Sequence, residues 1–270
     1  MGISVVTWTL GMTAAAEVTS KAIELGLDGI QYAGDHRDVA AADLKHHATQ
    51  TGLKIIAVDP INAAPSEPKA ATEADAIAYY RDVVDFAAEL GSVPVTLHGL
   101  SLWTRNCSDS TAARERLVRC CKAVDGYAQQ CGVRTLYEVC NHYEVPLIHT
   151  ASECRELMRQ IGGNNMSLIL DSFHMNIDEP DPNQALRDNL DVLAIYHISD
   201  SGRGGIGSGH LDFRAHHDIL VDGGFAGEIA IEPVLPHLTP STAPTNRSER
   251  AALDQEIERS AQCWRAYSAR

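Results

Sequence analysis

The sequence predicts an α/β fold, a closed (β/α)8 barrel formed as a single domain over residues 1–270. Short apolar stretches of strand length alternate with longer amphipathic stretches along the whole chain, the pattern of parallel strands joined by helical crossovers. A length of 270 residues suits one such barrel. Four of the apolar stretches also end on an ionisable residue (Glu138, Asp171, His197, Glu232), and the C-terminal strand ends are where α/β barrels keep their chemistry. A doubly wound open sheet is the alternative. It calls for a glycine-rich phosphate loop after the first strand, and Thr9-Leu10-Gly11-Met12-Thr13 is not one.

The elements follow in order. Ile3–Trp8 is apolar and β-branched, a first strand. Ala14–Leu25 places Val18, Ala22 and Leu25 on one helical face and is stopped by Gly26. Asp28–Tyr32 is a second strand, Ala40–Thr51 a helix closed by Gly52, and Leu53–Val58 a third strand. The Pro- and Ala-rich segment Asp59–Lys69 is a loop before the long helix Ala71–Leu90. Val93–Leu97 is a fourth strand running into His98-Gly99, and Ser110–Gln130 a helix. Val133–Tyr137 is strand five, Ile148–Ile161 a helix, and Met166–Leu170 strand six. Asn183–Asn189 is a short helix and Val192–Tyr196 strand seven. Gly202–Gly209, with five glycines in eight residues, is a loop. A weak helix around His216–Val221 precedes strand eight, Gly227–Ile231. The Pro-rich Pro233–Pro244 is either a lid or a long connection to the last helix, Ser248–Ser268.

Composition narrows the function. A formal net charge of −14 opposes nucleic-acid binding, which needs basic patches. Cys107, Cys120, Cys121, Cys131, Cys140, Cys154 and Cys263 are an odd set without a C-x-x-C pair, as in a reducing compartment, so a cytoplasmic location is expected. Met1–Leu10 lacks the basic start of a signal peptide, and no apolar run reaches transmembrane length.

The four strand-end residues converge on one rim if the barrel closes. Carboxylate oxygens with one imidazole suit Mn²⁺, Mg²⁺, Co²⁺ or Fe²⁺ better than a structural zinc. Each also has a plain reading: Asp171 as a helix cap, His197 as a satisfied core histidine.

Glu138-Val139-Cys140-Asn141-His142-Tyr143-Glu144, Leu170-Asp171-Ser172-Phe173-His174-Met175-Asn176, His197 with Arg203 six residues on, Gly207-Ser208-Gly209-His210-Leu211-Asp212-Phe213 and Ile231-Glu232-Pro233 cover strands five to eight. Together they resemble the ketose 3-epimerases (D-tagatose/D-psicose 3-epimerase type) of the xylose-isomerase-like TIM barrel superfamily. The first half matches only in pattern, through Leu25-Gly26-Leu27-Asp28-Gly29-Ile30. The resemblance implies that Glu138, Asp171, His197 and Glu232 hold one divalent metal ion, Mn²⁺ before Mg²⁺ or Co²⁺. It implies that Glu144, His174 and Arg203 bind the sugar near its carbonyl, and that Glu138 and Glu232 form the catalytic acid/base pair. It also implies a small-molecule sugar substrate and a homo-oligomer, dimer or tetramer. Two carboxylates on opposite faces of a carbon next to a carbonyl can remove a proton from one side and return it on the other.

His142 stands where that family's pattern has arginine, and His98 at the end of strand four is unexpected; it either faces the substrate or is a rim histidine with a backbone partner. Trp8 and Trp103 are an apolar wall for the sugar or ordinary packing. Gly202–Gly209 could hold a phosphate, but its acidic neighbours favour an unphosphorylated sugar. Sugar isomerisation (aldose–ketose or hydroxypyruvate type) and inosose dehydration start from the same proton abstraction and are the alternatives. Metal-dependent phosphodiester cleavage, as in endonucleases, and a non-catalytic binding barrel rank below them.

Overall fold

The computed structural model describes residues 2–61, 64–238 and 242–269. Eight parallel strands close in chain order: β1 (Ile3–Val6), β2 (Gly29–Ala33), β3 (Lys54–Asp59), β4 (Val95–Thr96), β5 (Thr135–Val139), β6 (Met166–Asp171), β7 (Leu193–Ile198) and β8 (Glu228–Ile231), with β8 pairing back onto β1. The helices are α1 (Ala15–Glu24), α2 (Ala41–Thr51), α3 (Glu73–Gly91), α4 (Ser110–Gln130), α5 (Ala151–Ile161), α6 (Ser172–Asp178), α7 (Pro182–Asn189), α8 (Phe213–Asp222) and α9 (Arg247–Ser268). The expected (β/α)8 barrel is the observed fold.

Strand alternation divides the core into two layers. Val6, Ala33, Ala57, Leu136, Ile169, Ile195 and Ala230 point inward and fill the barrel. Their neighbours Tyr137, Val139, Leu168, Leu170, Tyr196, Ile198, Ile229 and Ile231 point outward and pack with helix residues such as Val124, Leu157, Ile257 and Trp264. Because the period is two, the residue two places after each inward filler also faces the axis, at the rim. Trp8, Asp59, Glu138, Asp171, His197 and Glu232 each stand two places beyond one of those fillers.

Several elements depart from the expected boundaries: α5 begins at Ala151 and not at Ile148, and α6 (Ser172–Asp178) has no counterpart among the expected elements. β1 ends at Val6, and Thr7–Leu10 tightens into a 3-10 turn that carries Trp8 over the barrel mouth. β4 shrinks to two residues, because Pro94 has no N–H to give and the chain enters a 3-10 helix at His98–Thr104. α8 starts three residues before His216, since Asp212 caps it by accepting a hydrogen bond from the Ala215 N–H at 3.0 Å.

The glycine-rich loop is packed rather than open. The Gly205 and Ile206 N–H groups donate to Glu256 Oε2 (2.8 Å) and Ser260 Oγ (2.9 Å) on α9, and the Gly207 N–H donates to Asp200 Oδ2 (3.0 Å). A Cβ on Gly205 would collide with Ser260 and the Glu256 backbone. These N–H groups are already engaged, so the loop is not a phosphate cradle. Residues 239–241 of the Pro-rich connection lie outside the described residues. No described helix is long and apolar enough to cross a membrane.

Candidate active site and metal centre

The inward parity of β5 to β8 brings Glu138, Asp171, His197 and Glu232 together. One ligand-type atom from each lies within 4.8 Å of the others, and all four residues are buried. His197 Nδ1 lies 3.2 Å from Glu232 Oε2, 3.4 Å from Glu138 Oε1 and 4.0 Å from Asp171 Oδ2. The opposite ring nitrogen, Nε2, donates at 2.9 Å to Gln31 Oε1 from β2. That bond turns Nδ1 toward the carboxylates, the orientation a metal-ligating imidazole needs.

Asp171 fills both roles that its position allows. Its Oδ1 accepts the Phe173 N–H at 2.6 Å and caps α6. Its Oδ2 is buried without a hydrogen-bond partner. A buried carboxylate oxygen left unpaired is costly, and here it faces three other oxygen and nitrogen donors. This set fits a divalent cation.

The charges in the cluster are strongly coupled. Burial pulls the His197 imidazole down, but Glu138 and Glu232 outweigh it and hold the ring well above its ordinary range. Burial raises Glu232, yet His197 and Arg203 bring it far below the usual carboxylate range. Burial, reinforced by Glu232, pushes Asp171 well up. Three carboxylates this close do not all ionise without positive charge beside them.

A cavity of about 310 Å³ opens onto this cluster, lined by Trp8, Asp59, Ile61, His98, Glu138, Cys140, Glu144, His174, Arg203 and Glu232. Glu138 and Glu232 face it, whereas Asp171 and His197 do not line it. The residues expected to bind sugar are all on the wall. Arg203 pairs with Glu144, and its guanidinium lies over the Phe173 ring at 4.9 Å and the Trp8 ring at 5.7 Å. Its backbone takes φ 65°, a left-handed conformation held by its N–H to Asp200 O (2.7 Å) and by the Val234 N–H donating to its carbonyl (2.6 Å). Asn141 Nδ2 donates to His174 Nδ1 at 2.7 Å and to Glu144 Oε1 at 3.1 Å, which turns His174 Nε2 toward Glu138 Oε1, 3.8 Å away.

The residues left open resolve into separate places. Trp8 is more than an apolar wall: its Nε1–H donates to Glu232 Oε1 at 2.5 Å. Trp103 is buried against Tyr79 and does not line the cavity. His142 turns outward, its Nδ1 at 2.6 Å from Asp178 Oδ1, so it replaces no cationic contact in the cavity. His98 faces the cavity beside Asp59. Asp59 and Gln31 escaped sequence reasoning, and Asn141 was marked only as part of the Glu138–Glu144 segment. The signal for Asp59 was its place two residues after an inward Ala57, hidden because it reads as the first residue of a Pro-rich loop.

The pattern of the xylose isomerase-like TIM barrel family matches residues 19–265. The L-ribulose 3-epimerase of Mesorhizobium japonicum is 30% identical over 224 residues, 77% of this chain and 72% of that protein. The D-psicose 3-epimerase of Ruminiclostridium cellulolyticum is 28% identical over 225 residues, 79% of this chain and 76% of that one. The solved D-psicose 3-epimerase with D-tagatose from Clostridium cellulolyticum H10 shares the fold, with a TM-score of 0.82 at 22% identity and 99% of each chain covered.

Proposed function

Because the chain belongs to the xylose isomerase-like TIM barrel family, we propose that it is an isomerase, a divalent-metal-dependent sugar epimerase that inverts C3 of a free ketose or keto-sugar through an enediolate. The relatives' activities support the reaction class. The observation that carries the reading is that Glu138 and Glu232 belong to the four-donor cluster and also face the cavity. They are the groups placed to act on a substrate carbon.

A divalent cation held by Glu138, Asp171, His197 and Glu232, Mn²⁺ in this reading, would act as a Lewis acid toward the negative charge that develops on the substrate oxygens. Glu144, His174 and Arg203 hold the carbonyl end. Arg203 and His174 place N–H donors where oxyanion charge grows. One of Glu138 and Glu232 takes the C3 proton, and the other delivers a proton to the opposite face. Trp8 donates to Glu232 Oε1 and so fixes the orientation in which this carboxylate meets the substrate. The same reading places the enzyme in the cytoplasm, as a single barrel domain that assembles as a dimer or tetramer.

The deciding experiment is proton exchange in D₂O with Mn²⁺ present, followed by NMR over a panel of ketohexoses, ketopentoses and keto-sugar acids. Deuterium at C3 with the C3 epimer appearing is the expected result. Exchange at C1, or loss of water, would move the enzyme to isomerase or dehydratase.

A further inference from the structure

We infer that Asp59 and His98 form a hydroxyl-recognition site for the part of the substrate chain beyond the reacting carbons, and that they restrict the enzyme to neutral ketoses carrying a hydroxyl there. This rests on the proposed sugar-epimerase reading of the same cavity. The two residues end β3 and follow β4, on the half of the rim that carries none of the four metal-type donors. Both line the cavity and both are buried, with 6% and 8% of their surface exposed.

Their spacing leaves a place for a ligand oxygen. His98 Nε2 is 3.9 Å from Asp59 Oδ2, and His98 Nδ1 is 3.8 Å from Glu138 Oε2. Both separations exceed a hydrogen bond, and an oxygen on the cavity side of the line between the two atoms could bond both. His98 Nδ1 is buried with no hydrogen-bond partner. Asp59 is held in place on its other side, where Oδ1 accepts the Ile61 N–H at 2.8 Å. A carboxylate and an imidazole together can take a hydroxyl as both donor and acceptor. The charge of the wall sets the class. Asp59, Glu138, Glu144 and Glu232 line the cavity, and the guanidinium of Arg203 is already paired with Glu144. A phosphate or carboxylate on the sugar's far end would meet Asp59, and among the described residues lining the cavity the one Lys or Arg, Arg203, is already paired with Glu144.

The test uses the Mn²⁺-loaded full-length enzyme with D-psicose, its analogues lacking the hydroxyl at C4, C5 or C6 in turn, and D-psicose 6-phosphate. We expect at least one deoxy analogue to lose tenfold or more in kcat/KM, because a site built to bond a hydroxyl is left unpaired without it. The 6-phosphate should lose at least as much. In Asp59→Ala and His98→Ala the deoxy penalty should shrink to under threefold. A ratio of two sugars on one sample does not depend on the folded fraction, so a partly misfolded variant still reports. Wild-type enzyme that treats every deoxy analogue like the parent, or a penalty unchanged in both variants, overturns the inference. Calorimetric binding of the same sugars gives a readout without turnover. If D-psicose is bound with hydroxyl discrimination but never exchanged at C3, the epimerase reading fails while the recognition site stands.

Discussion

Strands β5–β8 and strands β1–β4 close the same barrel, yet their C-terminal ends carry different chemistry. Every strand of the first set delivers a metal-type donor to one buried cluster. The second set delivers Trp8, Gln31, Asp59 and His98, which orient that cluster or line the cavity beside it. In the proposed reading, the first set makes and breaks the C–H bond and the second chooses which molecule presents it. A barrel allows this because each strand contributes its rim residue through its own two-residue period, with no dependence on its neighbour's side chain.

The largest expected effect tests the first half. Glu232→Gln keeps the size and the Trp8 contact but removes the proposed acid/base carboxylate, so kcat should fall roughly 10³-fold while circular dichroism stays unchanged. Near-normal turnover would break the assignment of Glu232 to proton transfer.

A smaller effect asks whether the second half supports the first. Gln31→Leu removes the acceptor that orients His197. Affinity for Mn²⁺, measured by calorimetry, should drop about 10–100-fold, the usual cost of losing such an outer partner. An unchanged affinity would mean that β2 contributes only packing.

The smallest sharpens the electrostatics. With Asp171 raised by burial and His197 raised by its carboxylate neighbours, the metal-free cluster holds protons that a cation must displace. Metal binding should therefore release at least one proton near neutral pH, and affinity should weaken as the pH falls. For each proton displaced, the slope is at most about tenfold per pH unit. Titration in two buffers of different ionisation enthalpy measures the release, and identical heats in both would refute it.

The same division explains what was legible in the chain. β5–β8 are near-continuous apolar runs ending on a charge, and in Leu168–Asp171 the pattern needs no third dimension to read. The β1–β4 half hides its chemistry. Gln31 sits inside a strand where a glutamine reads as solvent-facing, and its place two residues before the inward Ala33 turns it toward the barrel axis. Asp59 opens a loop rich in proline, where an aspartate is ordinary turn chemistry. β4 keeps two residues because of Pro94, so apolar pattern alone overestimates it. His142 shows the converse. A position that the family resemblance marks for a cation turned out to bond Asp178 at the surface, because the chain leaves the rim between Asn141 and Tyr143.

β6 passes into α6 with no residue between them, Asp171 ending one and Ser172 beginning the other. Asp171 and His174 are therefore two marks on a single ruler, separated by one helical turn that the Asp171 cap itself holds closed. Glu144 and Arg203 reach the cavity from longer connections, and their ion pair depends on two loops arriving together. Evolution could lengthen or re-aim those loops and so change the shape of the cavity wall. It could not change the spacing between Asp171 and His174 without rebuilding the strand that carries them.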